Sequence, residues 1–279
     1  MTAAYNAAGY AVLRGFLPPA DVQRIRTQAM GTFALGMGRT VAEACRIADE
    51  PDFESALFAF FAEDPDRFIA CARQAQQCDA LHQLATDSRI LAMVHALQLE
   101  WPIMSSRPQL YFHHPRLAQR EEYWRLGQHQ DWRTGQGSLD AVTVWLPLVD
   151  CDRSLGALEV IPGSHRRGLL DTEAFSYFGK IATAIDDSRF KSMAMEAGDV
   201  LVFSAFLVHR SGTNTSDAIR WSCQFRFNNL AEPTFQARSF PNPFTYQPQA
   251  ALVTADFPTP AQVAAVFDQP SLVAPPDDR

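Results

Sequence analysis

The sequence of 279 residues lacks a long apolar run and lacks an excess of positive charge. Its longest uninterrupted apolar stretch, Ala56–Ala62, is much shorter than the ~20 residues that a transmembrane helix requires. Lys and Arg together number 24, against 31 Asp and Glu, which gives a formal net charge of −7. Because surfaces that bind nucleic acids or anionic membranes need clustered Lys and Arg, we expect neither kind of partner. The sequence leaves the oligomeric state open.

Paired cysteines are also missing. The five cysteines are scattered, odd in number, and include no CxxC pair. A disulfide scaffold or a thiolate zinc site is therefore not expected, and a reducing compartment suits the chain best. The N-terminus shows no basic segment followed by an apolar stretch, so no export signal is predicted. We predict a cytoplasmic protein.

The sequence changes character near residue 105. Before that point, apolar residues recur at helical spacing, and an isolated short strand precedes four predicted helices: Gly9–Arg14, then Ala20–Phe33, a helix containing Leu57–Phe61, Ile69–Leu84 and Ile90–Leu97. After it, β-forming runs alternate with turn residues at Gln109–His113, Ala141–Val149, Leu158–Ile161, Asp199–Val208 and Ile219–Phe227. Helices first and strands later predict an α+β fold, an antiparallel barrel or jelly roll buttressed by N-terminal helices.

The length favours one elaborated domain, since all-β barrels of this size commonly form a single unit. We predict a single domain over 1–279. Within it we expect a mainly helical support region at 1–104, a barrel core at 105–230, and a tail at 231–279 that wraps an existing surface.

One histidine is followed two residues later by a carboxylate, in the sequence His129-Gln130-Asp131. On a strand, residues i and i+2 point to the same side, so His129 and Asp131 would project an imidazole and a carboxylate together. Such a pair supplies two ligands of a metal site and needs a third from elsewhere. The alternative is an ordinary surface pair at the end of a strand.

The third ligand has one strong candidate, His209. The run Asp199–Val208 before it is largely apolar, which is typical of a buried strand, and its alternation places His209 on the core-facing side. An imidazole in that position is costly without a partner. Two His and one carboxylate with open coordination positions form the set favoured for non-haem Fe(II) oxygen chemistry. We therefore predict His129, Asp131 and His209 as the metal ligands and the catalytic centre.

A polar face follows on the predicted strand Ile219–Phe227. Arg220, Ser222, Gln224 and Arg226 alternate there with aromatic and apolar residues. If this face pointed to solvent, the run would be an ordinary edge strand. If it points inward, Arg220 offers a forked pair of donors to a dicarboxylate such as 2-oxoglutarate, whose other end chelates the metal.

Two further segments complete a recognisable pattern. GALEVIPGSH at 156–165 matches GAL-x-x-(I/V)-PGSH, and AGDVLVF at 197–203 leads toward the distal histidine. Together with HQD at 129–131, His209, and Arg220 eleven residues after it, these segments resemble the phytanoyl-CoA dioxygenase family of Fe(II)/2-oxoglutarate oxygenases. The resemblance extends over most of the chain before its tail.

The resemblance implies a double-stranded β-helix, which is a cupin-like jelly roll, and roles for particular residues. It implies iron on the three ligands above and the far carboxylate of 2-oxoglutarate on Arg220, with Ser211 as a hydroxyl donor to that carboxylate. Trp145 matches a Trp near the cosubstrate in relatives. Gln109 stands at the Gln of the family's QLxxK pattern and is assigned to the cosubstrate site, while His113 replaces the Lys of that pattern.

The implied activity is that of an Fe(II)/2-oxoglutarate-dependent dioxygenase. With O2 as the second cosubstrate, it would hydroxylate a C–H bond of a small molecule and form succinate and CO2. Tyr111 and His113, which share a face with Gln109, and Arg226 on the polar strand are candidates for substrate contact. Two alternatives stay open: a metal-dependent cupin-type enzyme that does not use 2-oxoglutarate, and a non-catalytic jelly-roll binding protein. Formation of succinate from 2-oxoglutarate would distinguish the dioxygenase from the cupin-type enzyme that does not use 2-oxoglutarate. The sequence does not specify the substrate.

Overall fold

Two antiparallel sheets form the scaffold of the protein, of which the computed structural model describes residues 1–173, 178–241 and 257–268. The strands are β1 (Tyr10–Leu13), β2 (Pro102–Met104), β3 (Gln109–His113), β4 (Val142–Pro147), β5 (Glu159–Val160), β6 (Lys191–Ser192), β7 (Val200–Ser204), β8 (His209–Arg210) and β9 (Arg220–Asn229). The larger sheet has the order β1-β7-β4-β9, with β2 and β3 both paired to β9, and the smaller sheet has the order β6-β5-β8.

Helices occupy most of the chain before residue 97, which confirms the predicted α+β class. The described helices are α1 (Thr2–Ala8), α2 (Pro19–Gly36), α3 (Val41–Ala44), α4 (Phe53–Glu63), α5 (Pro65–Ala75), α6 (Asp79–Ala85), α7 (Ser88–Ala96), α8 (Trp132–Gly135), α9 (Pro233–Ala237) and α10 (Pro260–Asp268). Helix α1 has no counterpart among the sequence predictions, because Tyr5 is its one buried residue and it has no apolar periodicity. None of the described helices is both long enough and apolar enough to cross a membrane.

An aromatic cluster anchors the helices to the outer face of the larger sheet. The ring centroid of Phe33 in α2 lies 4.8 Å from that of Phe68 in α5, 5.2 Å from that of Phe112 in β3 and 6.4 Å from that of Trp221 in β9. Aromatic pairs in this range add ~0.5–1.5 kcal/mol each beyond the burial of their area. Since the face of β9 that carries Trp221 meets the helices, the opposite face points into the space between the sheets.

Strand β9 therefore turns its polar face inward, as one of the two sequence interpretations predicts. It pairs with β4 on one side and with β2 and β3 on the other, so it is not an edge strand. Arg220, Ser222 and Gln224 are buried, and with Arg226 they line a cavity between the two sheets. The alternative of a solvent-exposed polar edge is wrong.

The predicted helix Ile69–Leu84 is wrong in one respect, because the structure divides it into α5 and α6. At the break, the Gln76 side chain donates to the Leu110 carbonyl at 2.7 Å and accepts from the Leu110 N–H at 2.8 Å. The Ala80 N–H at the start of α6 donates to Gln28 Oε1 at 2.9 Å. The break thus lets side chains from the helical region satisfy backbone groups, including both of those of Leu110 on β3.

The predicted strand Gly9–Arg14 exists but is not isolated. Strand β1 pairs antiparallel with β7, which makes it one edge of the larger sheet. The turn before β7 is tied to the end of β1, because Asp199 accepts from Arg14 Nη1 at 2.5 Å and from the Gly15 N–H at 2.8 Å. Asp199, the aspartate of the GD segment, therefore has a structural role, which is to hold the turn before β7 against the end of β1.

Helix α10 packs against the N-terminal helix. The ring centroid of Phe267 lies 6.0 Å from that of Tyr5, and Asp268 accepts from Arg166 Nη1 at 2.8 Å. The parts of the predicted tail at 242–256 and 269–279 lie outside the described residues. The single domain over 1–279, with its divisions near residues 104 and 230, stays a prediction.

Candidate active site

His129 extends the smaller sheet beyond β8. It forms an isolated antiparallel bridge with His209 and another with Lys180. The His129 N–H donates to the His209 carbonyl at 2.9 Å, and the His209 N–H donates to the His129 carbonyl at 3.1 Å. Directly opposed residues on antiparallel segments project their side chains to the same face. The pairing therefore brings the two imidazoles together, with ring centroids 4.1 Å apart.

The interpretation of His129-Gln130-Asp131 as a strand is wrong, because the strand contacts end at His129. Asp131 has helical backbone angles, φ −62° and ψ −30°, and begins α8 as its N-cap residue. The Gln130 side chain is buried in the scaffold, where it donates to the Phe206 carbonyl at 2.7 Å. A turn rather than strand alternation brings the carboxylate beside the imidazole, so that Asp131 Oδ1 lies 3.7 Å from His129 Nε2.

His209 is not a continuation of the strand before it. Strand β7 ends at Ser204, the chain turns through 205–208, and His209 begins β8 in the other sheet. The Leu207 N–H donates to the Ser204 carbonyl at 2.8 Å, which closes the turn. The predicted continuous strand Asp199–Val208 is therefore wrong, although His209 does line the cavity between the sheets.

Both imidazoles turn Nε2 toward the carboxylate. His129 Nδ1 donates to the Gly127 carbonyl at 2.7 Å, and His209 Nδ1 donates to the Leu207 carbonyl at 2.9 Å. Because a carbonyl oxygen only accepts, the proton of each neutral ring is on Nδ1 and the lone pair is on Nε2. Burial lowers the pKa of His129 to about 3 and also lowers the pKa of His209, so both rings are neutral near pH 7.

Asp131 is held by two neighbours. Its Oδ2 accepts from Thr143 Oγ1 at 2.7 Å and from Arg226 Nε at 3.2 Å, and its Oδ1 accepts from Arg226 Nη2 at 2.8 Å. Burial alone would raise the pKa of Asp131, but the Arg226 guanidinium and the other neighbours hold that pKa well below its usual range. The carboxylate is therefore ionised, with Oδ1 3.7 and 3.9 Å from the Nε2 atoms of His129 and His209.

These three side chains could hold one divalent metal ion. His129, Asp131 and His209 are buried, and each offers a ligand atom within 4.8 Å of the other two. In the described part of the chain, no second group of three or more His, Cys, Asp or Glu has this geometry. Two nitrogen lone pairs that face an anionic oxygen repel it, and a shared cation converts that repulsion into attraction. Two neutral imidazoles and one carboxylate match the donor set of non-haem Fe(II) sites.

Arg220 lines the same cavity from β9. Its Nη1 donates to the Gly156 carbonyl, its Nη2 donates to His113 Nδ1, and Nη2 lies 3.5 Å from Ser211 Oγ. Burial and the Arg220 charge lower the pKa of His113 well below 6.5, so its ring is neutral and accepts this hydrogen bond. The Lys-to-His replacement therefore gives Arg220 a neutral acceptor where the family pattern has a second cation.

Two glycines allow the loop that carries Ser211 to approach the segment before β5. Gly156 has φ 80°, a conformation that favours glycine, and its carbonyl is the one that Arg220 contacts. A Cβ atom on Gly212 would collide with the carbonyl oxygen of Ala157. Both positions therefore exclude residues larger than glycine. Because the Gly156 carbonyl accepts from Arg220, the glycine of the GAL segment helps to set the position of the Arg220 side chain.

Gln109, Tyr111, Gln224 and Arg226 form one hydrogen-bond network. Gln109 Oε1 accepts from the Tyr111 hydroxyl at 2.7 Å, from Gln224 Nε2 at 2.6 Å and from Arg226 Nη1 at 3.2 Å. Gln224 Nε2 also donates to the Tyr111 hydroxyl at 2.8 Å. Since Arg226 contacts Asp131 as well, the network connects β3 with the carboxylate of the candidate metal site.

The structure brings the predicted site residues together. Eight of them line one cavity: Tyr111, His113, His129, Trp145, His209, Ser211, Arg220 and Arg226. The other two, Gln109 and Asp131, bond to Arg226. Sequence reasoning placed Ser222 and Gln224 on the polar face of the strand with Arg220 but gave neither an individual role. It did not name Thr143, although alternation with Trp145 places Thr143 on the same face of β4.

The sequence of the chain is similar to those of known proteins. The family model described as Phytanoyl-CoA dioxygenase (PhyH) matches residues 5–222. The 1-deoxypentalenic acid 11-beta-hydroxylase of Streptomyces exfoliatus is 32% identical over 132 residues, which are 44% of this chain and 46% of that protein. The chain thus spans about half the length of that curated relative. Phytanoyl-CoA dioxygenase 1 of Oryza sativa subsp. japonica is 24% identical over 240 residues, which are 77% of this chain and 83% of that protein.

Among solved structures, the chain is similar to the non-heme alpha ketoglutarate dependent epimerase SnoN from nogalamycin biosynthesis. The TM-score is 0.54 at 21% identity, over 82% of this chain and 79% of that chain. A second SnoN structure, in complex with Fe3+, alpha ketoglutarate and nogalamycin RO, has a TM-score of 0.52 at 18% identity over 82% of each chain. At these identities the likeness shows a common fold, which confirms the predicted jelly roll.

Proposed function

The chain belongs to the phytanoyl-CoA dioxygenase family, and we propose that it is an Fe(II)/2-oxoglutarate-dependent dioxygenase that hydroxylates a C–H bond of a small-molecule substrate. O2 is the second cosubstrate, and succinate and CO2 are the products of 2-oxoglutarate. The observation that carries the proposal is the convergence of His129, Asp131 and His209 within 4.8 Å of one another, in the cavity that Arg220 also lines.

His129, Asp131 and His209 hold the iron. Backbone carbonyls accept hydrogen bonds from the Nδ1 atoms of both histidines and so orient each Nε2 toward the metal position. Arg226 holds the Asp131 carboxylate in place. Three protein ligands leave coordination positions for the keto acid and for O2. Bound Fe(II) supplies the O2 activation that couples oxidative decarboxylation of 2-oxoglutarate to insertion of oxygen into a C–H bond.

Arg220 binds the far carboxylate of 2-oxoglutarate. Among the described residues, its side-chain contacts are with neutral groups, namely the Gly156 carbonyl, His113 and the Ser211 hydroxyl. A buried positive charge without a counter-ion is costly, and a carboxylate in the cavity removes that cost. Ser211 adds a hydroxyl donor to the same carboxylate, and Trp145 forms part of the wall beside it.

The substrate is a small organic molecule, and hydroxylation is its proposed fate. The hydroxylase named among the relatives supports this outcome. Tyr111 and Arg226 are fixed in the network that Gln109 joins, and His113 is fixed by Arg220, so these residues give the cosubstrate and substrate regions a rigid wall. We place the protein in the reducing cytoplasm because its five cysteines are free thiols.

Succinate release tests the proposal directly. The purified protein is supplied with Fe(II), ascorbate, O2 and 2-oxoglutarate, and succinate is quantified against a panel of candidate acceptors. We expect release that rises with a suitable acceptor and is lost in Asp131→Ala, which removes one ligand. His82→Gln is the control, because His82 contacts the Gln76 carbonyl and does not line the cavity. Equal release from the wild type and from Asp131→Ala would contradict the proposal.

A further inference from the structure

A second cavity lies between α1, the segment that follows α7, the end of β9 and α10. Its volume is about 520 Å³, which falls within the ~300–1,000 Å³ of small-molecule sites. None of the described residues that line it also lines the cavity around His129 and His209. The proposed dioxygenase activity therefore leaves this second cavity without a role.

The wall of the second cavity carries acidic groups. The titratable residues that line it are Tyr5, His95, Glu100, Asp140 and Glu232, and none of the described lining residues is Lys or Arg. Both carboxylate oxygens of Glu232 accept from backbone N–H groups in the first turn of α9, so this side chain is fixed as the cap of that helix. The charge of the wall favours a cationic ligand over an anionic one.

Asp140 has one carboxylate oxygen that is satisfied and one that is not. Oδ2 accepts from Asn229 Nδ2 at 2.7 Å, whereas Oδ1 is buried and has no hydrogen-bond partner among the described residues. Burial raises the pKa of Asp140 to about 6 and the charge of Glu232 adds to this rise, although the Asn229 and Ser138 side chains oppose it. Above that pH the carboxylate is ionised at a cost to the folded protein.

The hydroxyl of Tyr5 also has no hydrogen bond of normal geometry within the described part of the chain, and this residue is only 3% exposed. Burial raises the pKa of Tyr5, the charge of Asp140 raises it further, and the Ser204 side chain opposes both. Tyr5 and Asp140 are therefore close enough to interact electrostatically. Native proteins rarely keep buried polar atoms unpaired unless a water molecule or a ligand meets them.

One chemical group can satisfy both atoms. A primary ammonium has three N–H donors and a positive charge, so it can donate to Asp140 Oδ1 and to the Tyr5 oxygen. Asp140 as a whole is only partly buried, and a rotation of its carboxyl group turns Oδ1 toward the cavity. A metal ion would lack ligands here, because the described residues hold no group of three His, Cys, Asp or Glu at ligand distance except the one that contains His129.

Apolar residues form much of the remaining wall. The ring centroids of Tyr5 and Phe267 lie 6.0 Å apart, and Leu97, Leu99 and Val266 line the same cavity. Aromatic rings attract cations through their faces and also pack against hydrocarbon. The wall therefore suits an ammonium compound that has an apolar part.

We propose that the second cavity binds a small organic ammonium compound, whose charged group contacts Asp140 and Tyr5 and whose apolar part packs against Phe267. This site is distinct from the candidate active site, and the inference does not depend on the proposed function. The bound cation offsets the cost of burying the Asp140 carboxylate, because it supplies the partner that Oδ1 lacks.

A matched pair of probes tests the requirement for charge. 2-Phenylethylammonium and 2-phenylethanol share their apolar part and differ in the ammonium and hydroxyl groups. Ligand-observed NMR titration of the full chain at about pH 8, where the amine and Asp140 are both charged, measures the two Kd values. A chelator keeps metal ions out, so that the amine cannot coordinate one. The ammonium should bind at least about 10-fold more tightly than the alcohol, because hydrogen bonds between charged groups are the stronger ones.

Asp140→Asn keeps the size of the side chain and removes its charge. It should weaken binding of the ammonium about 10- to 100-fold. Because folding raises the pKa of Asp140 from 3.8 to about 6, ionisation of this group opposes folding at about pH 8. The unliganded variant should therefore have a higher Tm than the wild type, which a structural role for the carboxylate would not give.

Two further variants complete the experiment. Tyr5→Phe should weaken binding of the ammonium about 3- to 10-fold, since one neutral hydrogen-bond acceptor is lost. Asp150→Asn is the matched control, because Asp150 accepts from the Ala197 N–H at 2.9 Å and does not line the second cavity. It should keep the wild-type Kd for both probes.

Three results would overturn the inference. If the wild type binds 2-phenylethylammonium no more tightly than 2-phenylethanol, or binds neither, the cavity is not an ammonium site. If Asp140→Asn keeps the wild-type Kd, the carboxylate is not the contact. If unliganded Asp140→Asn has a lower Tm than the wild type, Asp140 has a structural role instead. The proposed function stands in each case, because none of these residues lines the candidate active site.

Discussion

Arg226 donates to both carboxylate oxygens of Asp131, through Nε at 3.2 Å and through Nη2 at 2.8 Å. A planar guanidinium that meets a carboxylate through two hydrogen bonds fixes its plane as well as its position. Because Oδ2 also accepts from Thr143, the oxygen that faces the two imidazoles is Oδ1. The ion pair therefore presents one defined carboxylate oxygen to a metal ion.

Loss of this arginine should destabilise the fold. Arg226→Met leaves a buried, ionised Asp131 without its cation, and breaking a buried pair in this way typically costs ~3–5 kcal/mol. Urea unfolding of the metal-free protein near neutral pH measures the change in the free energy of unfolding. The double variant Asp131→Asn/Arg226→Met should cost less than the sum of the two single variants, because it leaves neither charge alone. Strictly additive costs would show that the two residues are not coupled.

Metal binding should depend on both histidines. Co(II) binds the same donor set, and at a free concentration of about 100 times its Kd it should raise the free energy of unfolding of the wild type by about 2.7 kcal/mol. His129→Gln and His209→Gln should lose most of this stabilisation, since each removes one of three ligands. His82→Gln, outside the cavity, should keep it. Stabilisation of His209→Gln to the wild-type extent would exclude His209 as a ligand.

The chemistry of the site could be predicted from the sequence better than its backbone. Residue type and spacing in the HQD segment, at His209 and at Arg220 predicted the candidate ligands and a nearby cation, and the structure brings these residues to one site. Their local structure was predicted wrongly, because a turn leads from His129 to Asp131, and Asp131 then begins a short helix instead of continuing a strand. The convergence arises from the bridge between His129 and His209, which is a long-range pairing that no local period reveals.

Tertiary contacts explain the other differences. The apolar run through Phe203 predicts one strand, yet the chain turns after Ser204 because the Leu207 N–H closes back on its carbonyl. Apolar spacing likewise predicts one helix where Gln76 breaks it to bond both backbone groups of Leu110. In each case, hydrogen bonds to partners that are not evident from the apolar pattern decide where the element ends.

Removing the guanidinium at position 220 should raise the 2-oxoglutarate requirement and leave metal binding intact. Arg220→Ala removes a desolvated charge partner of the far carboxylate, a loss of ~2–5 kcal/mol in cosubstrate binding. The measurements are the KM for 2-oxoglutarate in the succinate assay and Co(II) affinity in its absence. The KM of Arg220→Lys for 2-oxoglutarate should lie between those of the wild type and Arg220→Ala, because an ammonium keeps the positive charge but lacks the paired N–H donors of a guanidinium. An Arg220→Ala protein with an unchanged 2-oxoglutarate dependence would refute this role.

The stability of the metal-free protein should fall as the pH falls below about 6.5. Burial lowers the pKa of folded His129 from 6.5 to about 3, so between these values the unfolded chain binds a proton that the folded protein does not. The stability that neutral His129 contributes is complete above pH 6.5 and is lost toward about pH 3, at about 1.4 kcal/mol per pH unit. His209, whose pKa burial also lowers, acts in the same direction.

Urea unfolding in the presence of a chelator, from about pH 7 to about pH 5, measures this slope. His129→Asn removes the titrating group, and its free energy of unfolding should therefore decline less steeply, by about 1.4 kcal/mol per pH unit. His82→Gln lies outside the cavity and should retain the wild-type slope. If His129→Asn and the wild type declined in parallel, His129 would have to accept its proton in the folded state at an ordinary pKa, which its burial opposes.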